Sequence, residues 1–422
     1  MKVLLVAMGS MGDTFPFLSW GKTLLERGHD VTLVASGYFK TRIEAEGMQF
    51  RESWTADEYH DFVRKQATWS DSDGLKAMAD IVENMTGRIY QILTDEYVPG
   101  ETVAAAQGYA FGARIAQERN GLPLATVHLQ PMWFRSVYDT PGIPRYFPRF
   151  CMRLLDRLMD AAVDYRLGPS TNRLRTQLGL SPAKRLMKYW WNSPELVLGM
   201  FPEWFNPPKP DWPENVLLAG FPHYKGKQDP FDMSEVNAYL DAGDPPLVFS
   251  QSSITTDTKY FSESAKAAAS LGRRAVFLSA HKEQIPEGIG NHVQCFSFVP
   301  LQKLLPRAAA HIHHGGIGTI GHSLEAGIPQ LTVPMVYDQP DNAERLYRLG
   351  ISAMMKRKKY SASNVARALD NLLRSETIKQ KCREFGERCQ KQQGLVIASE
   401  ALERLLERSR ASPRKTTATH TA

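Results

Sequence analysis

The chain has 422 residues, two to three times the length of a typical domain, so its length predicts at least two hydrophobic cores. Hydrophobic residues make up 43% of the sequence and charged residues 23%, which excludes a mainly disordered, collagenous or coiled-coil chain. The net charge of +6 is small for this length, and it argues against a nucleic-acid-binding protein, which needs a concentrated basic face.

The amino-terminal residues predict a strand, a tight loop, an amphipathic helix and a second strand. Residues 2–8 have the continuous apolar run of a buried parallel strand, and residues 15–27 carry apolar side chains at helical spacing. Residues 30–35 form the next buried strand. This crossover is typical of a doubly wound sheet, which a helix at 111–119 and a strand at 124–129 continue.

A second alternation of strands and helices begins after a proline-dense connector at residues 201–213. Its predicted strands are 246–251, 274–279, 292–298, 310–314 and 330–335, and its predicted helices are 259–271, 301–307, 318–326, 341–348, 361–374 and 376–407.

Domain limits follow from this alternation. We expect an α/β chain with an amino-terminal Rossmann-like domain over residues 1–235 and a second one over 236–385. A final helix over 386–408 is expected to pack back on the first domain, and a tail over 409–422, rich in Ser, Thr and Arg, is expected to be disordered.

The first functional signal is the Gly-rich loop at residues 9–16, which follows the first strand. Such loops aim backbone N–H groups at anions, but this one lacks the third glycine of a dinucleotide fingerprint, and no acidic residue ends the second strand. A nicotinamide or flavin site is therefore disfavoured. Two interpretations stay open for Asp13 in this loop: it caps the following helix, or it supplies a catalytic carboxylate.

The second signal is the segment His311-Ile-His-His-Gly-Gly-Ile-Gly-Thr319. Side chains alternate along a strand, so His311 and His313 point to one face and His314 to the other. No Cys, Asp or Glu lies close by in sequence to complete a metal shell, which argues against a metal site. We expect His314, at the carboxyl end of the strand, to join the N–H groups of residues 315–319 in holding a diphosphate.

These motifs resemble those of the two-Rossmann-domain (GT-B) glycosyltransferases of family 1. Residues 12–16 and 27–29 are similar to the amino-terminal signature of that family. Its donor-binding motif is matched by residues 298–300, 314–319, 327–329 and 338–339. Within the family, the chain resembles the rhamnosyltransferases of rhamnolipid biosynthesis and the antibiotic and sterol glycosyltransferases; the segments that carry the likeness to the rhamnosyltransferases are 191–194, 201–208, 211–213, 220–222 and 341–346. The resemblance implies two Rossmann-like domains that face a cleft.

The resemblance also assigns roles to individual residues. It makes Asp13 the general base, His314 a contact of the donor diphosphate, and Phe298 the ring at the position where plant enzymes stack a Trp on uracil. The donor contacts that it implies are Ser252, Ser253, Phe298, Val299, His314, Gly315, Gly316, Gly318, Thr319, Asp338 and Gln339. Three positions, Leu301, Ile317 and His322, differ from the plant motif and fit the bacterial branch, where TDP-sugars are common.

Large apolar side chains in segments 54–90 and 132–150 lie outside the regular strand pattern. Two interpretations stay open for them: they are part of the core, or they line a pocket for a hydrophobic acceptor. The acceptor contacts expected on the second interpretation are Gly12, Trp54, Trp69, Met85, Trp133 and Phe134.

The resulting hypothesis is an inverting, metal-independent glycosyltransferase that needs no cofactor besides its TDP- or UDP-sugar donor. Rhamnose and glucose are the first sugars expected, and the acceptor is a hydroxyl of a hydroxy-fatty acyl lipid, polyketide, sterol or flavonoid-like molecule. The alternatives are a catalytically silent nucleotide-sugar-binding partner of another glycosyltransferase and a sugar-nucleotide epimerase on the same fold.

The sequence also bears on location. The four cysteines form no Cys-x-x-Cys pair, which predicts neither a zinc site nor a disulfide framework. No apolar run approaches the roughly 20 residues that a membrane span needs, so we expect a cytoplasmic protein. The dense basic run at residues 356–359 is interpreted as a solvated loop or strand end, with weak contact to the anionic inner face of a membrane as the alternative.

Overall fold

The structure is a computed structural model, and it describes residues 1–66, 74–140, 147–223, 231–251 and 258–411. The chain forms two compact units. The first contains Met1–Tyr224 and Gln393–Ala422, and the second contains Lys225–Gln392. The sequence predicts these limits at 235 and 386.

The first unit contains a seven-stranded, all-parallel sheet. Its central strands are apolar throughout because helices cover both faces of the sheet. The strands are β1 (Lys2–Val6), β2 (Asp30–Ser36), β3 (Gln49–Trp54), β4 (Thr102–Gln107), β5 (Leu124–His128), β6 (Leu196–Gly199) and β7 (Val216–Leu218). Their spatial order is β3-β2-β1-β4-β5-β6-β7. The chain adds strands on one side of β1 up to β3 and then on the other side from β4 onward, so the strand order reverses between β1 and β4. The helices are α1 (Met11–Glu26), α2 (Lys40–Ala45), α3 (Ala56–Gln66), α4 (Gly74–Glu96), α5 (Phe111–Asn120) and α6 (Arg149–Gln177).

The second unit contains a six-stranded, all-parallel sheet. The strands are β8 (Leu247–Ser250), β9 (Ala275–Leu278), β10 (Val293–Phe296), β11 (Ala310–His313), β12 (Gln330–Thr332) and β13 (Ser352–Met354). Their spatial order is β10-β9-β8-β11-β12-β13, so the strand order reverses between β8 and β11. The helices are α7 (Ser234–Asp241), α8 (Thr258–Ser270), α9 (Leu301–Leu304), α10 (Ile317–Glu325), α11 (Gln339–Leu349), α12 (Ala362–Arg374) and α13 (Glu376–Lys391).

The last helix, α14 (Gly394–Ala411), belongs to the first unit and packs against α1 and β4. The Trp20 indole N–H donates a hydrogen bond of 3.0 Å to the Ser399 hydroxyl, and Leu402 is fully buried in the core around β1. Sequence analysis predicts one helix over 376–407, but the structure has a break at residues 392–393, where the chain returns from the second unit to the first. The helix then continues to Ala411, past the predicted start of the tail at 409, and residues 412–422 lie outside the described part.

The prediction of two doubly wound α/β domains is confirmed, and the differences are local. The helix expected from residue 15 begins at Met11, so Asp13 lies inside its first turn and not in a loop. Strand β4 was not predicted, because its sequence Thr-Val-Ala-Ala-Ala-Gln is rich in alanine, a helix former. Within the described residues, no helix is both long enough and apolar enough to cross a membrane.

Candidate functional site

The Asp13 carboxylate lies at the carboxyl edge of the first sheet, beside the point where the strand order reverses. In open α/β sheets this is the place where ligands bind. Its Oδ2 accepts hydrogen bonds of 2.9 Å from both the backbone N–H and the hydroxyl of Ser10. Gly9 has a φ of +106°, and a Cβ there would lie 2.5 Å from Asp13 Oδ2, so glycine is needed for the close approach of this carboxylate.

Two glutamines complete the surroundings of Asp13. The Gln107 side chain, at the end of β4, donates to Asp13 Oδ1 at 3.3 Å and accepts at its own oxygen from the Met8 N–H at 2.5 Å. Gln130, which follows β5, also hydrogen bonds to Asp13, and its oxygen accepts from the Trp133 indole at 2.7 Å. Because a separate donor holds each amide oxygen, each NH₂ group is turned toward the carboxylate.

Burial raises the pKa of the Asp13 carboxyl above its ordinary value, while the hydrogen bonds from Ser10, Gln107 and Gln130 act in the opposite direction. A carboxylate with a raised pKa is a stronger base than a solvated one. The structure therefore shows the contacts expected of a helix cap, and it also gives Asp13 surroundings that fit a catalytic carboxylate.

The second Gly-rich loop lies at the carboxyl edge of the second sheet. His311 and His313 are buried on the same side of β11, as their alternation predicts. His311 bonds to the Ser250 hydroxyl at 2.8 Å and the Ser323 hydroxyl at 2.7 Å. His313 accepts from the Gly315 N–H at 3.1 Å and contacts the Gln330 oxygen at 3.0 Å. Hydrogen bonds therefore occupy both ring nitrogens of each histidine.

His314 differs from its two neighbours. Its Nδ1 is buried and has no hydrogen-bond partner among the described residues. Burial lowers the pKa of His314 to about 4, so the ring is neutral at physiological pH. Its Nε2 lies so close to Gly316 that a Cβ there would be 2.6 Å away, and the next residues begin α10. A neutral imidazole beside a helix N-terminus can donate a hydrogen bond to an anion.

A pocket of about 480 Å³ opens beside His314, within the second unit. Its wall includes residues that directly follow neighbouring strands: Gln251 after β8, His314 after β11 and Val333 after β12. The buried Gln251 Oε1 has no hydrogen-bond partner among the described residues. Three cationic side chains also line the pocket: Lys259, Arg357 and Lys358. Arg357 and Lys358 belong to the basic run at residues 356–359, for which the charge pattern predicts a solvated loop or strand end.

The Asp338-Gln339 pair begins α11, beside the same loop. Asp338 accepts from the Asn342 amide at 2.6 Å, and Asn342 also donates to the Gly315 carbonyl at 3.1 Å. The Gln339 oxygen accepts from the N–H groups of Met335 and Val336 at 3.0 and 3.3 Å. Gln339 therefore fixes the preceding turn through its oxygen, which leaves its NH₂ group as the expected ligand donor.

The other predicted donor residues are divided by burial. The Phe298 ring is 61% exposed and contacts Phe231 edge-on, whereas Val299 is buried in the core. In the loop, Gly315 is buried with a φ of +90°, Gly318 is exposed, and Thr319 is half-buried in α10. Ser252 and Ser253 lie outside the described residues.

Three of the six predicted acceptor residues are buried. Trp54, Met85 and Phe134 are buried, and Trp54 packs edge-on against Tyr59 and Phe62. Packing against other side chains accounts for the burial of these three residues among the described parts of the chain. Trp133 is half-buried and holds Gln130, and Gly12 is exposed in the first turn of α1. Trp69 lies outside the described residues.

Several residues of both sites were not found from the sequence. Gln107 and Gln130 lack any local motif, and Gln107 ends a strand that was not predicted. Lys259 and Gln251 are distant in sequence from the histidine loop and reach the pocket through the sheet order. The strand-end positions of Gln107 and Gln251 are the one signal that could have found them.

Comparisons with known proteins agree with this fold. The glycosyltransferase family 28 N-terminal domain matches residues 3–139, and the erythromycin biosynthesis protein CIII-like C-terminal domain matches residues 274–392. O-mycaminosyltylonolide 6-deoxyallosyltransferase from Streptomyces fradiae is 28% identical over 84% of this chain and 85% of its own length. Sterol 3-beta-glucosyltransferase from Komagataella phaffii is 23% identical over 95% of this chain, which spans 34% of that enzyme.

A solved structure extends the likeness in fold. Glycosyltransferase VinC, determined in complex with dTDP, matches with a TM-score of 0.72 at 20% identity, over 97% of this chain and 100% of that one. Together, the two sheets, the Gly-rich loops and these relatives define a glycosyltransferase of the GT-B fold. The two domain models and these relatives support the resemblance to family 1 of these enzymes that the sequence motifs predict.

Proposed function

We propose that this glycosyltransferase moves a sugar from a TDP- or UDP-sugar, with inversion, to a hydroxyl of a hydrophobic acceptor. The observation that carries the proposal is the pocket at the carboxyl edge of the second sheet, which His314 and the cations Lys259, Arg357 and Lys358 line. A nucleotide diphosphate has the negative charge and the acceptor oxygens that such a pocket binds. The dTDP complex of VinC supports a thymidine nucleotide as the first donor to test.

The proposed reaction needs one proton acceptor and one stabiliser of the leaving group. The acceptor hydroxyl gives its proton to the Asp13 carboxylate while its oxygen forms the new bond to the anomeric carbon. The bond from that carbon to the diphosphate oxygen breaks, and the nucleoside diphosphate leaves with the electron pair. His314 and the N–H groups that begin α10 would stabilise this charge, and the lining cations would neutralise it without a metal ion.

The acceptor class is proposed from the relatives. One acts on a glycosylated macrolide lactone by its name and another on sterols, and both names describe hydroxylated, largely apolar molecules. The motif resemblance to rhamnosyltransferases favours rhamnose as the first sugar to test, followed by glucose.

Calorimetry with dTDP and UDP tests the donor pocket directly. His314→Ala should weaken binding of both nucleotides roughly tenfold or more, because it removes a hydrogen bond to a charged group. The matched control is His281→Ala, an exposed histidine of the same unit. Unchanged affinity in His314→Ala would place the diphosphate elsewhere.

Nucleotide release tests the reaction itself. TDP-rhamnose and TDP-glucose, offered with a panel of macrolide, sterol and hydroxy-acyl acceptors, should release nucleotide only when an acceptor is present. Release should persist in excess EDTA, whereas loss that only Mg²⁺ or Mn²⁺ restores would contradict the metal-independent scheme. Nucleotide binding without release for any acceptor would favour a silent binding partner.

A further inference from the structure

The outward side of α6 carries large apolar side chains in contact with solvent. Phe150 is 72% exposed, Leu154 59%, Leu158 60% and Tyr165 83%. The first three are spaced four residues apart, so they form a continuous stripe along one side of the helix. Leu155 and Met159, exposed by 37% and 44%, widen this stripe, and we call these six residues the outer face. Soluble surfaces rarely expose an apolar strip of this kind without a partner.

The inward side of the same helix holds all of its acidic residues, Asp156, Asp160 and Asp164. Asp160 accepts from Arg135 at 2.7 Å and from Arg185 at 2.6 Å. Asp164 accepts from two backbone N–H groups at 2.6 and 2.8 Å. The remaining bonds of this group join Asp156 to Arg135, Arg185 and Lys188. These charges are therefore neutralised on the side that faces the protein.

The charges beside the outer face are all positive. Arg157 and Arg166 are exposed at the two edges of the outer face, whereas Arg153 lies seven residues before Asp160 and therefore on the acid-bearing side. The three acidic residues and the apolar stripe therefore lie on different sides of the helix, and Arg157 and Arg166 border the stripe. Buried residues such as Val163 and Leu167 anchor the inner side in a core with α4 and α5 residues, so the helix is fixed in this orientation.

We propose that the outer face of α6 binds in the plane of an anionic lipid bilayer surface. A helix that lies in the interface inserts its apolar stripe among the acyl chains, while flanking arginines extend their guanidinium groups to lipid phosphates. The charge pattern selects this occupant, because two exposed cations, Arg157 and Arg166, border the apolar stripe, no acidic residue of α6 lies on the stripe itself, and this arrangement complements a negative surface. The proposal does not depend on the sugar-transfer reaction, and it assigns the contact to a surface other than the basic run at residues 356–359.

Vesicle co-sedimentation of the full chain tests the proposal. The protein should sediment with vesicles of phosphatidylcholine and phosphatidylglycerol at low ionic strength, and less at high ionic strength or with phosphatidylcholine alone. Arg157→Gln with Arg166→Gln should weaken binding roughly tenfold or more. Leu154→Ser with Leu158→Ser should weaken it even at low ionic strength. The control pair, Arg367→Gln with Arg383→Gln, removes two exposed cations of the second unit and should leave binding unchanged.

Circular dichroism of each variant separates a lost surface from a lost fold, and all six positions changed are exposed. Absence of vesicle binding at low ionic strength would overturn the proposal. Equal weakening by the control pair would overturn it too, because it would show attraction by net charge and not by this face. A concentration-dependent dimer that only the leucine pair disrupts, without vesicle binding, would assign the face to a second copy of the chain.

Discussion

Asp13 caps a helix and is also the proposed base, and a single substitution can separate these two roles. Its Oδ2 caps α1 through Ser10, and its pKa is raised by burial. Asparagine keeps one acceptor oxygen for the Ser10 N–H but cannot take a proton. Asp13→Asn should therefore lower the turnover of sugar transfer by about two orders of magnitude or more and leave nucleotide affinity nearly unchanged.

Initial rates and calorimetry measure the two quantities. The matched control is Asp57→Asn, which changes an exposed acidic residue in the first turn of α3. Near-normal turnover in Asp13→Asn would make Asp13 only a helix cap.

Gln130 positions Asp13 and tunes its proton affinity. Its hydrogen bond favours the ionised carboxylate, so Gln130→Met should raise the pKa of Asp13 further. Asp13 must be ionised to act as the proposed base, so the fall of the rate at acidic pH should begin at a higher pH, while the plateau rate changes less. Gln91→Met, which removes an exposed amide contact to Asp95, is the matched control. A pH profile of kcat that stays in place would show that Gln130 has no influence on the base.

Asp13 and His314 could be predicted because each follows an apolar strand within a Gly-rich segment of the sequence. Gln107 and Gln130 could not be predicted. Their role depends on which strands lie next to β1, and the order β1-β4-β5 is a property of the whole sheet. A polar residue at a strand end carries no local sign of the carboxylate that it will meet.

Strand β11 buries histidines where an apolar side chain would ordinarily lie. Alternation predicted their common side, but their partners Ser250, Ser323 and Gln330 come from three other elements and could not be predicted from local pattern. Burial lowers the pKa of His313 to about 3 and of His314 to about 4, and it lowers the pKa of His311 as well. The folded strand therefore requires neutral rings.

The second unit should consequently lose stability in mild acid. The pKa values are lower in the folded state than the roughly 6.5 of an unfolded histidine, so the stabilisation is complete above that pH and is lost as the pH falls below it. Between pH 7.5 and 5.5 each buried histidine should cost about 1.4 kcal/mol of unfolding free energy. Urea unfolding followed by circular dichroism measures the loss.

His313→Asn supplies the test of cause. Its amide oxygen can accept from the Gly315 N–H as the ring Nδ1 does, but it does not titrate. The variant should be less stable than the wild-type protein at pH 7.5. Between pH 7.5 and 5.5 its unfolding free energy should fall by about 1.4 kcal/mol less than that of the wild type. An unchanged pH dependence would show that His313 does not titrate in this range.

At the scale of the whole molecule, the chain crosses from the first unit to the second and returns. Two α/β halves could be predicted from the repeated alternation of strands and helices, because each element leaves a periodic apolar pattern. The break between α13 and α14 could not, since the helical pattern continues across residues 392–393 with no proline to end it. The sequence predicts the return of the final helix to the first domain from residue 386, and packing shows that the returning helix is α14, which begins at Gly394.

Because the chain returns to the first unit, the core of that unit depends on α14. Leu402 is fully buried against it, so Leu402→Ala should lower the unfolding free energy of the first unit by about 2–5 kcal/mol. All eight tryptophans lie between Trp20 and Trp212, within the first unit, so tryptophan fluorescence in urea follows that unit alone. Arg408→Ala, an exposed change in α14, should leave the transition in place. Affinity for dTDP, assigned to the second unit, should be unchanged in Leu402→Ala, and a parallel loss of affinity would show that the two units do not fold independently.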